Sequence, residues 1–121
     1  MDIQAVNLAD KLAQIGDHWH PRVVGDVNDM QVKLVKLQGA FDWHHHATED
    51  ELFLVLKGRL TMRLRDRDIT ISEGEFVIVP HGVEHLPVTE EEVHLLLLEP
   101  ATTLNTGTVH TARTRETLER L

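Results

Sequence analysis

The chain reads as an all-β antiparallel protein, a sandwich, jelly roll or small barrel, with one short N-terminal helix. Three observations carry that reading. Short apolar runs recur with strand-like alternation of buried and wet faces. Turn signals (Asn28-Asp29, Lys57-Gly58, Glu73-Gly74, Pro80-His81-Gly82) punctuate them roughly every 8–12 residues. Helical spacing is confined to the stretch before Gly16. About eight or nine strands are expected, and a barrel of about eight strands holds side chains or one small ligand.

In order along the chain, Leu8, Leu12 and Ile15 stand at helical spacing behind Asn7, a suitable N-cap, and Gly16 ends the helix. Val23, Val24 and Val27 begin a strand that turns at Asn28-Asp29. Val32 to Leu37 forms the next, interrupted by Lys33 and Lys36 and closed by Gly39. Trp43 to His46 is a short strand and Leu52 to Leu56 a longer apolar one. Lys57-Gly58 turns the chain into Leu60, Met62 and Leu64, which alternate with Thr61, Arg63 and Arg65.

Arg65 to Asp68 is a charged turn, and Ile69 and Ile71 mark the strand after it. Phe76 to Val79 follows Gly74 and is broken at Pro80. Glu84 to Val88 makes a short strand, Thr89 to Glu92 a solvated hairpin tip, and Val93 to Leu98 the last strong strand. Beyond Pro100, residues 101–114 read as a loop over the surface or a sheet edge. Arg115 to Leu121 forms one or two helical turns or frays. The whole of 1–121 is expected to be one domain, with 100–121 as surface loop and tail.

Composition narrows the function classes. The net charge of −8 argues against nucleic acid and anionic membrane surfaces, where basic patches are expected. The absence of cysteine excludes disulfides, thiolate metal sites and thiol nucleophiles. Met1 to Ala5 show neither a basic region nor an apolar core, and Leu52 to Leu56 is far too short to span a bilayer. A soluble, cytoplasmic protein is expected.

The stretch that carries chemistry is Gly39 to Gly58, which contains His44-His45-His46 and then Glu49, Asp50 and Glu51. On a strand, His44 and His46 share one face and His45 takes the other. Two imidazoles and the Glu51 carboxylate make most of a first-row metal site. The second segment is Gly74, Pro80, Gly82 and His85. Its turn re-aims the chain, so that His85 is a candidate fourth ligand. A solvated histidine tract is the competing reading, and it does not account for Glu51 and His85 standing in register.

Jointly the two segments resemble the two signature motifs of the cupin superfamily. In that family they form adjoining strand pairs of a double-stranded β-helix, the jelly-roll barrel, and bind one divalent metal inside it. The resemblance spans 39–89 and implies His44, His46, Glu51 and His85 as metal ligands. Gly39, Gly58, Gly74, Pro80 and Gly82 are then the turn residues. Four residues rather than the usual five separate Gly39 from His44, and Thr89 stands where the second motif often has Asn.

The implied cofactor is one divalent transition metal, Fe, Mn, Ni, Cu or Zn, which ligand type alone does not discriminate. The implied activity is that of a small metal-dependent enzyme, an oxygen-using oxidoreductase or a sugar-type isomerase, with Glu51 or a bound water as proton acceptor. The alternative is a small-molecule binding or sensing module. Phe53, Val55, Met62, Phe76, Ile78 and Leu96 are expected to shape an apolar pocket, with Arg22 at its mouth holding an anionic group. His45 reads as structural, and His94 as a core or pocket histidine. A homodimer is expected, shared through the Val23–Val27 and Val32–Leu37 strands.

Overall fold

In the computed structural model, which describes residues 2–121, the N-terminal helix is α1, Leu8–Leu12, with the Asn7 side chain accepting the Asp10 N–H at 3.0 Å. Seven strands follow: β1 (Arg22–Val27), β2 (Met30–Ala40), β3 (Glu51–Lys57), β4 (Arg59–Leu64), β5 (Asp68–Ser72), β6 (Phe76–Val79) and β7 (His85–Pro100). All pair antiparallel, in the order β1-β2-β7-β3-β6, with β4 between β5 and β7.

The long strand β7 closes the architecture. Its first residues pair with β4, from Leu64↔His85 to Thr61↔Val88. Its later residues run between β2 and β3, with Leu34↔Leu96 on one side and Leu54↔Leu96 on the other. The expected hairpin at Thr89 to Glu92 does not form. The β2 partner of Thr89 is Gly39 and that of Val93 is Leu37, so Glu90, Glu91 and Glu92 oppose Gln38 alone. They bulge outward and remain exposed while the strand continues.

Two apolar cores flank the sheet. Inside lie Val35, Leu37, Phe41, Phe53, Val55, Leu60, Met62, Ile71, Val79 and Leu95, among others. Outside, Leu12, Ile15 and Leu34 pack with Leu8, Leu56, Leu96 and Leu121. Burial on both faces is why Leu95 to Leu98 is an unbroken apolar run.

This arrangement corrects three expectations about the pocket. Leu96 belongs to the outer core. Phe76 and Ile78 are 60% and 53% exposed, because the register Phe53↔Val77 and Glu51↔Val79 turns Val77 and Val79 inward instead. The Trp43–His46 strand is reduced to one isolated bridge, His44↔His85.

The tail forms no helix among the described residues. It returns to β1, where the Val23 N–H donates to Glu119 O at 3.0 Å and the Leu121 N–H donates to Val23 O at 3.0 Å. Those bonds cover the start of an edge strand.

Candidate metal centre

The bridge that joins the two motif segments also builds the site. The His44 N–H donates to His85 O at 3.1 Å, and the His85 N–H donates to His44 O at 2.9 Å. This brings the two rings to a centroid separation of 4.2 Å. The Pro80-His81-Gly82 turn is tied down by the Gly82 N–H on His46 O at 2.8 Å and the His81 N–H on Asp50 Oδ1 at 2.8 Å. Gly82 sits at φ +79, a left-handed conformation that favours glycine. Glu51 opens β3, facing inward like Phe53 and Val55.

The structure brings His44, His46, Glu51 and His85 together: all four are buried, and one ligating atom from each lies within 4.8 Å of the others. Glu51 Oε1 is 2.7 Å from His46 Nε2 and 3.3 Å from His85 Nε2. His44 Nδ1 lies 2.9 Å from Asp42 O, and His85 Nδ1 lies 2.9 Å from Val83 O. A carbonyl only accepts, so each Nδ1 carries the proton and each Nε2 presents a lone pair. His46 Nε2, His85 Nε2 and Glu51 Oε1 have no hydrogen-bond partner among the described residues. Buried polar atoms are rarely left so, and a set of imidazole nitrogens and carboxylate oxygen fits a first-row divalent cation.

Electrostatics agrees with that donor set. Burial, and then the neighbouring His85, lower the His44 pKa from 6.5 to about 4, so the ring is neutral at neutral pH. Burial raises the Glu51 carboxyl, but the neighbouring Glu99, His46 and His85 outweigh it and hold Glu51 well below the usual range. Glu99 is pushed the other way, by burial and then by the Glu51 charge beside it, against the pull of Lys33.

A cavity of about 50 Å³ opens beside the cluster. Its polar lining is His44, Glu51, Glu99 and Asn105, and its walls include Trp19, Phe41, Phe53, Pro87 and Leu97. Phe53 is the one residue of the expected pocket set that reaches it. Trp19 stacks on Phe41 with centroids 4.9 Å apart, and its Nε1 donates to Gln38 O at 2.9 Å.

Other expected residues sit elsewhere. His45 is not part of the cluster, and its carbonyl accepts the Thr108 N–H at 3.1 Å. Arg22 is occupied by Asp17 at 2.8 Å and Glu119 at 3.2 Å. His94 pairs with Glu92 at 3.1 Å.

Sequence reasoning missed Lys33, Glu99 and Asn105. A signal existed for the first two. Lys33 is in phase with Val35 and Leu37, and Glu99 is in phase with Leu95 and Leu97, so alternation alone places both on an inward face. For Asn105 no local pattern pointed inward. Its side chain is fixed by Arg113 O at 2.8 Å and the Arg115 N–H at 2.9 Å, within a segment folded on itself.

Comparison with known proteins agrees with the geometry. Residues 32–99 match the family described as cupin domain. A cupin-2 domain containing protein from Shewanella frigidimarina NCIMB 400 is 45% identical with a TM-score of 0.77, the match covering 78% of this chain and 93% of that one. Protein NMB1881 from Neisseria meningitidis is 33% identical with a TM-score of 0.75, covering 81% of this chain and all of that one. Among curated proteins, Uncharacterized protein YdbB of Bacillus subtilis (strain 168) is 36% identical over 63 residues. That match covers 51% of this chain and 56% of the relative, little more than half its length.

Proposed function

The chain belongs to the cupin domain family, and from that premise we propose that it is a single-metal enzyme acting on a small, largely apolar molecule, an oxygen-using oxidoreductase in reaction type. The observation that carries this reading is the buried set His44, His46, Glu51 and His85, whose ligating atoms converge beside a cavity. In this reading the three imidazoles and the Glu51 carboxylate hold one divalent ion. Such an ion supplies Lewis acidity or oxygen activation at whatever positions the protein leaves open.

The chain's own residues do the rest. The carbonyls of Asp42 and Val83 orient the His44 and His85 rings. Phe41, Phe53 and Leu97 exclude water from the cavity, which strengthens every charge interaction inside it. Glu51 or a bound water serves as proton acceptor in this reading. No lysine or arginine lines the cavity among the described residues, which favours an oxidoreductase over an isomerase of sugar phosphates. The small volume of the cavity is what favours the second reading, a binding or sensing module.

The test has two parts. Elemental analysis is expected to find about one divalent metal per chain, as the single four-residue site requires. Alanine at His44, His46, Glu51 or His85 should cut metal affinity by more than the roughly 10–100-fold that loss of an outer hydrogen-bond partner costs, while His45→Ala leaves it intact. Oxygen uptake is then followed on Fe(II), Mn(II), Ni(II) and Zn(II) forms with enediol, thiol, phenolic and keto-acid compounds, beside aldose–ketose interconversion. Uptake that needs both metal and compound supports the oxidoreductase. Interconversion without oxygen replaces it with the isomerase, and tight binding without turnover replaces it with the binding module.

A further inference from the structure

Lys33 and Glu99 meet in the interior of the barrel. Lys33 Nζ donates to Glu99 Oε1 at 2.7 Å, and the two side chains are only 2% and 3% exposed. Burying two polar groups of this kind is costly, and an apolar pair of similar volume packs a core at least as well. The core therefore supplies no reason for the pair.

The strand register supplies one. On β2 and β7, Lys33 stands opposite Leu97, and Glu99 lies diagonally from it on the same face. On β7 and β3, Leu98 stands opposite Leu52, so the next step along places Glu99 across from Glu51. Lys33, Glu99 and Glu51 thus form a row over three adjacent strands, and that row ends at His46 and His85 through Glu51 Oε1.

We propose that Lys33 and Glu99 are positioning residues for the metal centre: Lys33 fixes Glu99, and Glu99, opposite Glu51 across β7 and β3, backs the Glu51 carboxylate and aims it at His46 and His85. The inference rests on the reading of His44, His46, Glu51 and His85 as ligands. A carboxylate free to rotate would present Oε1 only part of the time, so the row raises affinity by ordering Glu51 before metal arrives. Glutamine at 99 offers an N–H to Glu51 and a carbonyl to Lys33; methionine offers neither.

The test compares Lys33→Met, Glu99→Met and Glu99→Gln with the wild-type protein by Zn(II) calorimetry and by the visible absorption of the Co(II)-loaded forms. The two methionine variants are expected to lose roughly 10–100-fold in Zn(II) affinity, with a shifted Co(II) spectrum, whereas Glu99→Gln stays within about threefold and keeps the wild-type spectrum. A merely structural pair would lower the melting temperature of the metal-free chain and leave the Co(II) spectrum and Zn(II) affinity unmoved, and that result overturns the proposal. So does Glu99→Gln binding as weakly as Glu99→Met. If Glu99→Met does not fold, Lys33→Met and Glu99→Gln decide the matter by the same criteria. A wild-type chain that takes up neither ion is a separate outcome, which overturns the ligand reading itself and this inference with it.

Discussion

An imidazole offers a lone pair to a cation only while it is neutral, and at His44 the fold enforces neutrality by burial. Its pKa falls from 6.5 to about 4, chiefly from burial and then from His85 alongside. The sign for stability follows. Between those values the unfolded chain binds a proton that the folded chain does not, so the contribution of His44 is whole above about pH 6.5 and is lost as pH falls toward 4. A shift of this size corresponds to something on the order of 3 kcal/mol for the metal-free protein. Urea midpoints of the metal-free chain at about pH 7 and about pH 4.5 should therefore differ more for wild type than for His44→Gln, which has no proton to gain. Equal differences in the two proteins would remove His44 as the cause.

Elements, more than single residues, decide how the centre is closed. The segment after β7 folds on itself, with Thr106 fully buried and its Oγ1 bonded to Val109 O and Thr114 Oγ1, both at 2.7 Å. This compact segment lies over the histidine run, and Gly107 is where it touches. At φ +61, a Cβ on Gly107 would fall 2.0 Å from His45 O, a backbone atom that cannot move aside cheaply. Gly74 also has positive φ, at +81, but nothing lies within 4 Å of its missing side chain. Alanine at Gly74 is expected to cost only the left-handed penalty of about 1–2 kcal/mol. Gly107→Ala should cost clearly more and weaken metal binding by displacing the His44–His46 backbone. Thermal melts of the two variants check the order, and equal losses would mean that the contact yields without strain.

At the scale of the whole molecule, the open question is the sheet's edges. Strand β2 is no edge, since it is paired on both sides by β1 and β7, and the start of β1 is covered by the tail. The other end of the sheet path is β6, with Phe76 and Ile78 turned outward and exposed. A homodimer therefore remains our proposal, with the β6 edge replacing β2 in the shared surface. Light scattering should give twice the 13.8 kDa chain mass, falling to the single mass in Ile78→Glu. A single-chain mass at every concentration would reject the dimer.

The sequence by itself determined the all-β class, the turns and the four residues of the candidate centre. Alternation, punctuation by glycine and proline, and a run of ligand-type side chains are all local, so they survive without knowledge of neighbours. Tertiary structure decided which phase of each alternation faces inward. Phe76 and Ile78 were expected inside, yet their strand takes its face from β3, where Phe53 and Val77 stand opposite one another. It also decided that Glu90 to Glu92 bulge from a continuous strand, because the Gln38 that they oppose lies on β2, far away along the chain. The row Lys33, Glu99 and Glu51 exists only because β7 lies between β2 and β3, and Asn105 reaches the cavity only because its segment folds back over the barrel. These are contacts between residues remote in sequence, where no spacing rule operates and packing alone chooses the partner.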